Sequence, residues 1–216
     1  MDFFTIVGTG LGIKEYILPE GIKEIENADI LIAGERNLEP WLYLNKKNYI
    51  IKSNLTEIIS IIKNNYKEKK IVILVSGDPG FYSLLNYISK YFGRKEIKII
   101  PGISSMQMAF AKAGISWHDS VLLNLHGRKI DIINEFLNEK KIGMLTDPVN
   151  NPLVLCEHVI SKTSKNFTVL ICINLGYNNE DILEFKINDY KKILINEQLP
   201  AVMILIDEEW LWPIDK

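Results

Sequence analysis

At 216 residues and 47% hydrophobic content, the chain can bury a packed core in one large domain or two small ones. Its formal net charge of −2 excludes a global basic field for nucleic acid, so an anionic ligand has to be held locally. The start, Met1-Asp2-Phe3-Phe4, has no basic region before its apolar run, and no apolar stretch approaches the roughly 20 residues of a membrane helix, so a cytoplasmic location with no membrane partner is expected.

In chain order, residues 3–7 are predicted to form a first strand and residues 29–33 a second, with a helix between them beginning near Glu20. Residues 49–52 form a short third strand. A helix then opens at Asn54, with Glu57 as the return partner of a capping box and Ile58, Ile59, Ile61 and Ile62 as its buried face. Ile71 to Val75 and Ile97 to Ile100 are apolar strands. Each runs into a glycine turn that opens a helix, Ser76-Gly77-Asp78-Pro79-Gly80 after the first and Pro101-Gly102-Ile103-Ser104-Ser105 after the second. The second helix spans about 104–113 and stops at Gly114, a C-cap that marks the domain boundary, giving domains 1–114 and 115–216. The second domain carries strands near 121–125, 142–145, 167–175, 181–187 and 201–206, with helices near 130–137 and 152–161. Asn151-Pro152 is an N-cap and first-turn pair for the last of these helices. This alternation predicts an α/β architecture, with a parallel first sheet and a mixed second one. Cys156 and Cys172 sit in apolar segments without paired-ligand spacing and read as core residues, with no disulfide framework or zinc site.

Two neighbouring parallel strands that end in glycine loops define a crevice at their carboxyl ends, where open α/β sheets hold ligands. Glycine lets a ligand lie against backbone, and helix N-termini beyond it offer amide donors. The segment Gly8-Thr9-Gly10-Leu11-Gly12, with Glu35 near the end of the second strand, superficially matches a nicotinamide-dinucleotide fingerprint. Ile13 stands at its third glycine position, however, and Pro19 and Gly21 interrupt the helix that should bind phosphate. The other readings are a structural tight turn and a loop that admits substrate or cofactor to the first strand end. The chain has three arginines, Arg36, Arg94 and Arg128. Arg36 after Gly34-Glu35 and Arg128 after His126-Gly127 put a rigid guanidinium fork at a loop, which suits carboxylates. A solvated surface arginine is the alternative for Arg36 and the preferred reading for Arg94.

The ordered series Val7-Gly8-Thr9-Gly10, Ala28-Asp29, Ser76-Gly77-Asp78-Pro79-Gly80 and Pro101-Gly102-Ile103-Ser104-Ser105 resembles the tetrapyrrole methylase family, which uses S-adenosylmethionine. The resemblance spans nearly the whole chain. Within the family, Pro101 to Gln107, Trp117, Leu125-His126-Gly127-Arg128, and Asn174-Leu175-Gly176-Tyr177 with Glu180 are similar to the cobalt-precorrin-7 carbon-5 methyltransferases of cobalamin biosynthesis. The chain departs from that subgroup at Asn124, where serine is common, and at Ile173, where an acidic residue is. Its length leaves no room for a fused carbon-15 methyltransferase and decarboxylase domain.

This resemblance implies two α/β domains with the active-site cleft between them, a homodimer, and S-adenosylmethionine held folded in the cleft. On the matching positions, Leu11, Asp78, Phe81, Ser104 and Ser105 contact the cofactor from the first domain, and Leu145, Thr146, Leu175 and Ala201 from the second. Asp78 accepts hydrogen bonds from the methionine amino group or caps the helix after it, and the two roles are compatible. The implied reaction is methylation of a corrin precursor at carbon 5, by direct displacement at a sulfonium, with no catalytic side chain named and no metal. For the substrate's carboxylates the expected donors are Arg128 first, His126 beside it, and Arg36 third, with Gly10 on the same side. His126 also reads as a structural histidine at a strand end, and His118 and His158 as structural or solvated. Two competing readings remain. One is another enzyme of the superfamily, acting on an earlier precorrin or, like diphthine synthase, on a modified protein side chain. The other is a non-catalytic corrinoid-binding partner that docks the carbon-15 enzyme through Trp210-Leu211-Trp212.

Overall fold

The computed structural model describes residues 3–196 and 198–210. Met1-Asp2 of the chain start and Leu211-Trp212 of the aromatic segment therefore lie outside the described residues. The chain divides into two compact units, Met1–Ser104 and Ser105–Lys216.

The first unit is built on β1 (Phe4–Gly8), β2 (Ile30–Ala33), β3 (Lys47–Ile50), β4 (Ile71–Val75) and β5 (Ile97–Ile100). They lie in the order β3-β2-β4-β1-β5, and every neighbouring pair is parallel. All residues of β1, β2 and β4 are buried, as expected of central parallel strands covered on both faces. Alternate residues feed two cores. Phe4, Ile6, Ile30, Ile32, Ile71 and Ile73 pack with Ile58 and Ile62 of α3 (Leu55–Asn65), whereas Val7, Leu31, Ala33, Val72 and Leu74 pack with Ile25 of α1 (Pro19–Glu26) and with Trp41. From the adjacent strands β1 and β4 the chain leaves in opposite directions, to β2 on one flank and to β5 on the other. That arrangement opens a crevice at their carboxyl ends.

Several local expectations need correction. β3 lies two residues earlier than predicted, because it pairs with β2 from Ile30↔Lys47 to Ala33↔Ile50. Asn54 is the N-cap of α3, but its side chain caps no helix amide. Its Oδ1 instead accepts from the Lys52 amide at 2.8 Å, and its Nδ2 donates to the Ile50 carbonyl and to Glu57 Oε2. The capping box is thus replaced by a link back to β3. The helix expected directly after Ser76-Gly77-Asp78-Pro79-Gly80 is absent, and only one turn, α4 (Leu85–Ile88), follows. Asp78 Oδ1 accepts the Gly80 amide at 2.7 Å and Tyr82 has φ +50°, so the backbone there turns instead of coiling.

In the second unit, β6 (Val121–Asn124), β7 (Lys141–Leu145), β8 (Phe167–Ile173), β9 (Asp181–Lys186) and β10 (Ala201–Asp207) form a sheet in the order β6-β7-β10-β8-β9. Only the β6–β7 pair is parallel, so the sheet is mixed. The short helix α5 (Ser105–Lys112) packs on β7 and β10. Gly143 permits this approach, since a Cβ there would lie 2.6 Å from Met106 Sδ and 2.8 Å from the Phe110 ring. At the end of α5 the Gly114 amide donates to Ala111 and the Ile115 amide to Phe110, with Gly114 at φ +68°, a Schellman C-cap. The helix α6 (Pro152–Lys162) has the predicted cap, with Asn151 Oδ1 accepting the amides of Leu153 and Val154. Residues Ile130–Phe136 form 3-10 turns where an α-helix was expected. Ile130, Ile133 and Phe136 recur every three residues and all pack on the core, which is the 3-10 period.

Both cysteines are buried and free, and burial pushes each thiol up to about 12, which leaves them inert. Lys141 is a buried cation without sequence warning: its Nζ pairs with Asp119, donates to the Ser116 carbonyl at 2.6 Å and lies 4.7 Å from the Trp210 ring centroid. Among the described residues, no helix is long and apolar enough to cross a membrane.

Candidate functional site

In the first unit, the loops leaving β1, β4 and β5 touch through glycine backbone. A Cβ at Gly8 would lie 2.6 Å from both the Gly102 nitrogen and the Gly77 carbonyl oxygen, so only glycine lets the three loops meet. Gly10 and Gly77 exchange backbone hydrogen bonds of 3.2 and 2.7 Å, both in the left-handed region at φ +58° and +65°. Thr9 is buried between them and sends both its amide and its Oγ1 to the Val75 carbonyl, at 2.8 and 3.0 Å. Asn37 joins this group by donating to Ser76 Oγ at 3.0 Å.

Asp78 is the charged group of this edge. It is half-buried, and its two oxygens accept the Gly80 amide at 2.7 Å and the Gly102 amide at 3.1 Å, so it ties the β4 loop to the β5 loop and does not cap a helix. Phe81 follows, half-buried, its ring edge-on to Tyr82 with centroids 4.8 Å apart. Leu11 is buried, and its carbonyl accepts Arg36 Nη2 at 3.0 Å. Arg36, on the short helix α2 (Glu35–Leu38), therefore braces the glycine loop at its exposed end. Ser104 is buried beyond Gly102.

The amides of Gly10, Gly12, Gly77, Gly80 and Gly102 all donate to acceptors within the protein. A phosphate cradle needs such amides turned outward. The helix N-terminus that a dinucleotide fold would place here is replaced by a 3-10 turn at Lys14–Tyr16, and α1 starts only at Pro19. The side-chain charge these loops present is a carboxylate with lone pairs to spare, which suits a cationic donor and repels a phosphate.

In the second unit, the register gathers the expected residues at one sheet edge. Asn124 is opposite Leu145, Leu145 opposite Val202, and Ile173 opposite Ala201. The ends of β6, β7 and β8 and the start of β10 thus coincide, with Leu145, Thr146, Leu175 and Ala201 among them. Thr146 donates its amide and Oγ1 to the Ala201 carbonyl at 3.3 and 2.8 Å. Ser105, half-buried, opens α5 in this unit. The β8 exit turns sharply, with Asn174 at φ +51° and Gly176 at +82°. Glu180 fastens that turn by accepting the Gly176 amide at 2.8 Å and pairing with Lys112 at 2.7 Å. The Gly176 amide and Lys112 hold the Glu180 carboxyl below the usual range.

The Leu125-His126-Gly127-Arg128 loop leaves β6 at the same edge. Its His126 and Arg128 side chains are exposed, while its backbone is held at every step. The Leu125 amide donates to Leu145, the His126 amide to Asn124 Oδ1 at 3.0 Å, and the Arg128 amide to Leu125. Gly127, at φ +66°, gives its amide to Asp147 Oδ2 at 2.7 Å. The buried Asn150 donates its Nδ2 to the carbonyls of Leu125 and Arg128, at 2.8 and 3.0 Å. Burial pushes the Asp147 carboxyl up, but the amides of Asn150, Gly127 and Val149 outweigh it and hold the carboxyl below its ordinary value. Asp147 and Asn150 escaped the sequence reading, although Asp147-Pro148-Val149-Asn150 after a strand is a recognisable turn former. The other two histidines lie apart from this loop. His158 Nε2 is 2.9 Å from Asn134 Oδ1, and His118 is exposed beside Asp119.

Residues 4–190 match the family of Tetrapyrrole (Corrin/Porphyrin) Methylases. The chain belongs to the tetrapyrrole methylases. This methylase is 38% identical over 184 residues to the probable cobalt-precorrin-7 C(5)-methyltransferase of Methanocaldococcus jannaschii, a match covering 82% of this chain and 86% of that one. It is 30% identical over 178 residues to the cobalt-precorrin-7 C(5)-methyltransferase of Salmonella typhimurium, covering 82% and 88% of the two chains. The uroporphyrin-III C-methyl transferase from Thermus thermophilus, solved in complex with S-adenosylhomocysteine, superposes with a TM-score of 0.74 over 94% of this chain and 96% of that one. At 15% identity that likeness speaks for the fold alone. The methylase is an enzyme of the methyltransferase class.

Proposed function

We propose that this methylase transfers the methyl group of S-adenosylmethionine to carbon 5 of cobalt-precorrin-7 in cobalamin biosynthesis. The identity with the Methanocaldococcus jannaschii relative, across four-fifths of the chain, carries the reading. The exposed His126 and Arg128 on a braced loop support it, because a corrin precursor bears many carboxylates and a planar guanidinium grips them in two-point fashion.

Bound S-adenosylmethionine supplies a methyl group already activated on a sulfonium, so transfer to carbon is a direct displacement that needs no protein nucleophile. The residues' task is alignment, and orientation of this kind is worth roughly 7–11 kcal/mol. In the first unit Asp78 receives the methionine ammonium, Ser104 offers a hydroxyl to its polar groups, and Leu11 and Phe81 give apolar contact. In the second, Ser105, Thr146 and the backbone about Ala201 give polar contacts, with Leu145 and Leu175 as apolar ones. Arg128, His126 and Arg36 take the substrate's carboxylates, and Gly10 lies along its ring edge. A homodimer as the working assembly, and association with a carbon-15 methyltransferase and decarboxylase, belong to the same proposal and rest on the family resemblance.

Calorimetric titration with S-adenosylhomocysteine and, separately, with NAD tests the cofactor half without the unstable substrate. Binding of the first alone supports the reading. Binding of NAD alone overturns it.

A further inference from the structure

We infer that Asp147 and Asn150 are positioning residues for substrate recognition: together they hold the 125–128 loop in the single backbone conformation that presents His126 and Arg128. The inference rests on the proposed role of those two side chains. Four residues leave β6, and one is a glycine at φ +66°, so without partners this loop samples many conformations. Asp147 and Asn150 supply three bonds that stop it, one to the Gly127 amide and two to the carbonyls of Leu125 and Arg128. The two residues are themselves one unit. Asp147 Oδ1 accepts the amides of Val149 and Asn150, at 2.9 and 2.6 Å, which fixes the turn that aims the Asn150 side chain. Asn150 is buried and uses its amide nitrogen on two carbonyls at once, a geometry that neither aspartate nor a hydroxyl can reproduce.

A staple that served stability alone would lower cofactor affinity and turnover along with folding. A positioning pair acts on substrate binding and acts through His126 and Arg128. The test uses the full chain, with S-adenosylmethionine and cobalt-precorrin-7 for kinetics and S-adenosylhomocysteine for calorimetry. Asn150→Ala removes the amide nitrogen that donates to both carbonyls. Asp147→Asn is isosteric and turns an NH2 group toward the Gly127 amide, or toward Val149 and Asn150 if it flips. Each variant is expected to raise KM for the corrin roughly ten- to a hundredfold, with kcat within about threefold and cofactor affinity within about twofold. In a background carrying both His126→Ala and Arg128→Ala, Asn150→Ala should add little further.

Unchanged KM in both folded variants, effects that multiply with those of the combined His126→Ala and Arg128→Ala change, a parallel fall in cofactor affinity, or failure of both variants to fold would overturn the inference. An inactive wild type would fell the functional reading and this inference with it. An active wild type with indifferent variants would fell this inference alone.

Discussion

Asp78 and Gly102 join the two glycine loops of the first unit: Oδ2 of the aspartate accepts the glycine amide at 3.1 Å while Oδ1 holds Gly80. One carboxylate thus sets the separation of two loops and presents the only side-chain charge of the Ser76–Gly80 turn. Asp78→Ala should weaken S-adenosylhomocysteine binding at least tenfold, because it removes both the proposed ammonium acceptor and the tie to Gly102. Asp78→Asn keeps one acceptor and should lose less. Calorimetry on the two variants checks the order.

Gly102 should resist any side chain. A Cβ there would collide with the Gly77 carbonyl oxygen and lie 2.8 Å from the Gly8 carbonyl carbon and oxygen, all of them backbone that has no room to yield. Gly102→Ala is expected to cost about 3 kcal/mol in urea unfolding. Gly34→Ala is the control, since Gly34 has φ −62° and nothing within 4 Å of an added Cβ, and it should change stability by less than about 0.5 kcal/mol.

The Lys141–Asp119 pair should show the asymmetry of buried charge. Asp119→Ala leaves the Lys141 ammonium, 1% exposed, without its carboxylate, though the Ser116 carbonyl and the Trp210 ring remain. Because Asp119 is itself 34% exposed, the loss should fall below that of a fully buried pair, at about 2 kcal/mol. Adding Lys141→Met should restore most of it. Denaturant midpoints of the single and double variants decide.

Glu180 predicts a pH dependence. Its folded carboxyl is depressed by the Gly176 amide and Lys112, so its stabilising contribution is complete above the ordinary glutamate value of about 4.3 and is lost as pH falls through the lower folded value. The stability gap between wild type and Glu180→Gln should therefore be widest near neutrality and shrink in acid. A gap that stayed constant from pH 7 to about pH 3 would contradict the assignment.

Most of the fold was legible because its strands are apolar runs punctuated by glycine, proline and asparagine. Ile71 to Val75 and Ile97 to Ile100 form strands with the predicted bounds, and Asn151 and Gly114 cap the helices they were expected to cap. Two of the failures share a cause, side chains that bond nearby backbone, whereas the shift of β3 follows from its register with β2 and the 3-10 turns at 130–136 from the three-residue spacing of their core residues. Asp78 turned an expected helix start into a loop, and Asn54 reached back to β3 and left α3 uncapped. Candidate site residues with a charge or a glycine beside them, such as Arg128 and Asp78, could be proposed from the sequence. Asp147 and Asn150 could not, because their work is to bind backbone twenty or more residues away, and only the β6–β7 register brings that backbone to them.

The most direct test of the central claim is a single-turnover reaction of the purified chain with cobalt-precorrin-7 and S-adenosylmethionine carrying a carbon-13 methyl group. The account predicts a corrinoid product one methyl heavier, with the label on carbon 5. Label at another ring position, or none while the protein binds S-adenosylhomocysteine, would contradict it.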